Sequence, residues 1–118
     1  MFIEHKKEAE LKDNIWVNTI QLLKSKQEQS YLFNNKYGKF NIKKLDDYKI
    51  IIEFLNTTLS NLDNTGFTIT SHDYDSISIK SNIIGSSIES IPNRDTLEIL
   101  FEIISIELKK EKFKALEF

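Results

Sequence analysis

The sequence predicts an α+β fold. It reads as a single small domain with two N-terminal helices, a short antiparallel sheet of two to three strands, and a C-terminal helix packed on that sheet. Three observations lead there. Residues 66–80 alternate apolar side chains with small hydroxyls, the pattern of strands with one buried and one wet face. Apolar residues recur at three- and four-residue spacing on both sides of that segment. A chain of 118 residues with 40% hydrophobic and 29% charged side chains suits one soluble domain, 1–118, with a core of its own.

The first helix is expected from about Glu4 to Ser30, because Leu11, Ile15, Trp16, Ile20, Leu22 and Leu23 share one broad side. Tyr31 to Ile42 reads as a connection, with Asn34, Asn35 and Gly38 as turn formers; Lys39–Ile42 suits a short strand or a helix entry. The second helix rests on Leu45, Tyr48, Ile52, Leu55, Leu59 and Leu62, a continuous 3-4 seam with Asp46 and Asp47 in its first turn and Asn64-Thr65-Gly66 as its stop.

Strands are predicted at Gly66–Thr70 and Ser76–Lys80, joined by the hairpin loop Ser71-His72-Asp73-Tyr74-Asp75. Phe67, Ile69, Ile77 and Ile79 form the buried face. A third strand or turn is expected between Ile83 and Ser90. The last helix opens near Pro92, with Asp95 and Glu98 spaced as a capping box. Leu97, Phe101, Ile104 and Leu108 form its seam. Ile99, Ile103 and Ile106 load the opposite side, which suits either a central place in the core or self-association as a homodimer.

Composition narrows the function classes. The absence of cysteine removes disulfides, thiolate metal sites and cysteine nucleophiles. The apolar runs Ile50–Ile52 and Ile103-Ile104 are far too short to cross a bilayer, and residues 1–8 turn charged where a signal peptide carries its apolar run. A cytoplasmic protein without membrane contact is therefore expected. Fifteen lysines against one arginine, with 18 isoleucines and ten asparagines, match A/T-rich codon usage, as in a low-GC bacterium, a phage or a mobile element. One arginine disfavours a dedicated reader of base edges.

The net charge of −2 conceals a division along the chain. Residues 1–62 carry ten basic and eight acidic side chains, whereas residues 63–107 carry two basic and eight acidic ones. The predicted sheet and the start of the last helix thus form an acidic block.

No constellation of residues demands chemistry. His72 with Asp73 and Asp75 offers metal-ligand or acid–base types, but an exposed hairpin tip accounts for them better. His5 and Glu8 make one helical pair where a di-metal bundle needs several. Gly85-Ser86-Ser87 lacks the second glycine of a nucleophile elbow, and no phosphate-cradling glycine loop is present. Neither cofactor nor metal is expected.

The favoured expectation is a non-catalytic protein-binding module: an inhibitor or immunity protein that neutralises a basic partner, such as a toxin, by occluding its active site. The partner-binding candidates are Asp73, Tyr74 and Asp75, with Glu89, Glu98 and Glu102 in support. Two alternatives stand beside it. A nucleic-acid-binding accessory protein would use the Lys36–Lys49 patch, where lysines interleave with Tyr37, Phe40 and Tyr48. A metal-dependent enzyme would centre on His72.

Overall fold

The computed structural model describes residues 2–26, 29–57, 64–72, 76–83 and 89–116, with side chains described within 8–24, 29–55, 66–72, 76–81 and 90–112. The chain begins with α1 (Phe2–Lys26) and then forms β1 (Ser30–Asn35), β2 (Gly38–Asp46), β3 (Lys49–Thr57), β4 (Asn64–Ser71) and β5 (Ile77–Ile83). The two-residue β6 (Glu89–Ser90) precedes α2 (Arg94–Leu116). All strands pair antiparallel with their sequence neighbours, giving the order β1-β2-β3-β4-β5-β6: five full strands and a short sixth. None of the helices, among the described residues, is long and apolar enough to cross a membrane.

This architecture corrects the expected fold. There is one N-terminal helix, and the predicted second helix is replaced by the end of β2, a turn and β3. The supposed connection from Tyr31 to Ile42 is the β1–β2 hairpin. The physical reason lies in Ile50-Ile51-Ile52. A β-branched run is stiff at χ1 and packs well on a pleated surface. Strand alternation buries Ile50 and Ile52 completely, while three members of the supposed helical seam, Leu45, Tyr48 and Leu55, stay exposed. The remaining two, Leu59 and Leu62, lie outside the described residues.

Two hairpin turns of the same design set the register. The Asn35 side-chain oxygen accepts from the Tyr37 amide at 2.9 Å, and the Asp46 carboxylate accepts from the Tyr48 amide at 2.7 Å. Each Asx side chain satisfies the amide two residues on and so holds a two-residue turn. Asp46 is therefore a turn former rather than a helix-dipole acid.

One face of the sheet carries the core. Its rows are Phe33, Phe40 and Phe54; then Tyr31, Ile42, Ile52, Phe67 and Ser81; then Lys44, Ile50, Ile69 and Ile79. An aromatic ladder crosses this face, Tyr31–Phe33–Phe40–Phe54–Phe67, with ring centroids 5.3 to 5.6 Å apart. Such pairs add roughly 0.5–1.5 kcal/mol each beyond area burial. Both helices lie over this same face. From α1 come Ile15, Leu22 and Leu23, and from α2 come Leu97, Leu100, Ile103 and Ile104, all in one cluster with the sheet residues. The N-cap of α2 is Asn93, not the expected Asp95: its side-chain oxygen accepts from the Thr96 amide at 2.9 Å.

Gly66 lies close against the backbone of β3. Its φ is +152°, and a Cβ there would stand 2.0 Å from the Ile52 carbonyl oxygen. It follows the register shift between Asn64 and Gly66 and lets β4 lie tight against β3.

Candidate functional site

The second face of the sheet carries no described element. Alternation along each strand determines its contents. One row reads Ser30, Lys43, Ile51, Thr68 and Lys80; the next reads Leu32, Asn41, Glu53 and Gly66; a third brings Lys49 beside Thr70 and Ser78. Lys39 stands beside Asn34 at the end of the same face. Leu32 and Leu55 are 54% and 53% exposed, and Ile51 is half-buried between flanking strands.

Among its described side chains the outer face holds Lys39, Lys43, Lys49 and Lys80 with Glu53, and the β5–β6 register sets Glu89 opposite Asn82 on β5. Lys43 pairs with Glu53 at 3.0 Å on a diagonal between β2 and β3. Strand spacing puts Lys43 and Lys80, three strands apart, roughly 14 Å from one another, with Lys49 about 7 Å along β3 from the row they share.

Of the six partner-binding candidates, Glu98 and Glu102 have described side chains. Asp73, Tyr74 and Asp75 lie outside the described residues. Glu89 belongs to β6, and its side chain lies outside them too. Glu98 and Glu102 are exposed one turn apart on α2, and each has a cationic neighbour: Arg94 at 3.2 Å for Glu98 and Lys36 at 3.4 Å for Glu102. A hydrogen bond from the Tyr37 hydroxyl, with Lys36 second, holds the Glu102 carboxyl below its usual range, and the same bond raises the Tyr37 hydroxyl. Glu98 and Glu102 thus sit together, away from the lysines of the sheet.

The other candidates are dispersed. His72 is exposed, and its Nε2 lies 3.0 Å from Ser78 Oγ. No group of three His, Asp or Glu side chains gathers among the described residues to hold a metal. Ser86 and Ser87 lie outside them, as does the side chain of His5. The Lys36–Lys49 patch is divided: Phe40 enters the core, Tyr48 is exposed, Lys36 turns to α2, and Lys39, Lys43 and Lys49 share the outer face. Ile103 is buried and Ile99 packs against the core, so these two members of the expected self-association face are used inside the domain.

A polar cluster outside the expected apolar seam closes the core beside β1. Glu107 is 5% exposed on the core-facing side of α2, and the Tyr31 hydroxyl stands 3.3 Å from its Oε1 and 3.4 Å from Glu111 Oε1. One hydroxyl proton serves one carboxylate at a time. The Lys110 ammonium is 3.5 Å from Glu107 Oε2 and also donates to the Asn34 carbonyl at 3.5 Å, covering the edge of β1. Burial first, then the two carboxylates, push the Tyr31 hydroxyl well above the usual phenol range. The legible signal was Glu107 itself, a carboxylate three residues after Ile104 and one before Leu108, inside the apolar arc.

Compared with known proteins, the chain matches no family model, no curated protein and no solved structure.

Proposed function

We propose that this protein is a non-catalytic binding module that holds a partner protein against the outer face of its sheet. One observation carries the reading: Leu32, Leu55 and Ile51 stand among lysines and small hydroxyls on a face that no described element covers. Ile51, Thr68 and Thr70 on this face are β-branched and stiff, so ordering them at an interface costs little entropy. A rigid backbone beneath them, fixed by two Asx turns and by Gly66, presents the face ready-made.

Inhibition of the partner, as by an immunity protein toward a toxin, is the narrower form of this reading. The neutralised state of Glu98 and Glu102 favours the sheet over α2 as the contact. Binding of single-stranded nucleic acid is less well supported. Base stacking needs exposed aromatic rings; five rings form the ladder on the core side, and Tyr48 is the one exposed ring among the described residues.

The test is co-purification of the tagged chain from its native host, with cross-linking and mass spectrometry. A stoichiometric protein partner cross-linked to the lysines of β2, β3 or β5 is expected. Recovery of the chain alone, or of nucleic acid in place of protein, refutes the reading.

A further inference from the structure

We infer that the open edge of β1 pairs with the β1 of a second copy of this chain, joining two sheets into one across a two-fold axis at Leu32. The surface concerned is the backbone at the rim of the sheet, so the inference stands apart from the binding-module reading.

The register identifies the groups involved. β1 is a terminal strand, with β2 on one side only. The Lys44 amide donates to the Gln29 carbonyl at 2.7 Å, and Asn35 and Gly38 face each other across the two-residue turn. Odd-numbered residues of β1 therefore bond β2, and Ser30, Leu32 and Asn34 turn their N–H and C=O groups to the open side. Among the described residues, one hydrogen bond reaches these groups, from Lys110 Nζ to the Asn34 carbonyl at 3.5 Å. The Lys110 side chain is half-exposed, and a carbonyl with two lone pairs can accept from a partner's amide as well.

Natural sheets blunt their edges with short strands, charges, proline or bulges. The opposite edge follows that rule, because β6 is two residues long and carries Glu89. β1 does not. Its residues Ser30–Asn35 include no charge, no proline and no glycine, and their register with β2 runs without a shift.

A second copy fits this strand. In an antiparallel pair centred on Leu32, Leu32 meets the partner's Leu32 on the outer face, and Ser30 meets the partner's Asn34. On the core face Tyr31 meets the partner's Phe33. Apolar faces apolar, polar faces polar and ring faces ring, with no like charges opposed. Ser30, Leu32 and Asn34 are symmetric about the axis, so every outward backbone group of the three finds a partner. Leu32, 54% exposed in the single chain, is the side chain that this pairing covers. The short β6 then stands at both ends of the joined sheet, and assembly stops at two copies. A strand edge buries less than the ~800 Å² per partner of a standard stable complex, so dissociation in the micromolar range or weaker is expected.

The test is the mass of the full chain by sedimentation equilibrium and light scattering, from low-micromolar to millimolar concentration. A rise from 13.8 kDa to twice that value is expected. Amide hydrogen exchange should slow at Ser30, Leu32 and Asn34 as the dimer forms. Leu32→Pro removes a donor that faces away from β2, so the fold should persist while dimerisation weakens at least about tenfold. Leu32→Lys sets like charges across the axis and should weaken it likewise; it carries the test where circular dichroism shows Leu32→Pro unfolded.

Four outcomes overturn the inference: a constant 13.8 kDa, assembly beyond two copies, slowed exchange elsewhere with Ser30, Leu32 and Asn34 unchanged, or undiminished dimerisation of the folded variants. A strict monomer that still recovers a partner on the outer face overturns this inference alone. A dimer that recovers no other protein overturns the binding-module reading alone.

Discussion

Ile50→Ala and Leu55→Ala remove similar amounts of side chain from positions five residues apart on β3, and they should differ sharply in effect. Ile50 is fully buried, in a row with Ile69 and Ile79. Cutting it to alanine removes three carbons at about 0.8 kcal/mol each and leaves a cavity, for a loss of roughly 3 kcal/mol. Leu55 is 53% exposed, so about half that transfer energy is at stake and solvent fills the space, for roughly 1 kcal/mol or less. For a domain of this size about 4 °C in melting temperature accompanies each kcal/mol, giving a drop of roughly 12 °C against 4 °C or less. Thermal and urea unfolding followed by far-UV circular dichroism measure both. An unchanged urea slope would show that stability, not the unfolded state, has moved. Equal losses, or the larger loss at Leu55, would restore the helical seam and refute the strand and the outer face together. Leu55→Ala should also weaken partner binding while sparing the fold, which Ile50→Ala cannot do.

Further predictions follow from single contacts. Gly66→Ala forces a Cβ against the Ile52 carbonyl and should cost about 3 kcal/mol or more, read as a lowered melting temperature or as insoluble expression. Asn93→Ala removes the N-cap of α2 and should cost about 1 kcal/mol in urea titration. Tyr31→Phe withdraws the donor facing Glu107 and Glu111 and should cost about 1–2 kcal/mol. The Tyr31 hydroxyl titrates higher in the folded state, so its contribution is complete below the unfolded phenol value near ~10 and is lost as pH rises through the folded one. Alkaline unfolding followed by circular dichroism should therefore lose part of its pH dependence in Tyr31→Phe.

The elements legible in the sequence were those whose period had one reading. In α1, Ile15, Leu22 and Leu23 are buried with Leu11, Trp16 and Ile20 beside them, as the 100° spacing required. Phe67, Ile69 and Ile79 alternate as expected, and of the expected α2 seam Leu97, Ile104 and Leu108 are buried while Phe101 is partly buried against the core. Residues 45–62 were ambiguous because an unbroken apolar-rich run satisfies both a 3.6 and a 2.0 period at some of its members. What decides between them is the β-branched triplet and the Asp46-Asp47 turn, which repeats the Asn35-Lys36 turn one hairpin earlier. Two Asx residues, each two positions before a tyrosine and twelve residues or fewer apart, were the available signal for a meander.

The same ambiguity hid which charges share the outer face of the sheet. Charge summed along the chain made residues 63–107 an acidic block, and a sheet built from that block alone would have had an acidic wet face. The sheet instead recruits β1, β2 and β3, and a strand places every second residue on one face. Lys39, Lys43, Lys49 and Lys80 meet there, while Glu98, Glu102 and Glu107 lie on α2 beyond the core. Which charges share a sheet face is thus a property of strand register rather than of sequence blocks. Shifting β2 by one residue would turn Lys39 and Lys43 into the core and Phe40 and Ile42 into solvent. Burial of Phe40 and Ile42 is therefore what keeps Lys39 and Lys43 on the outer face, and the aromatic ladder that stabilises the fold also fixes which side chains that face carries.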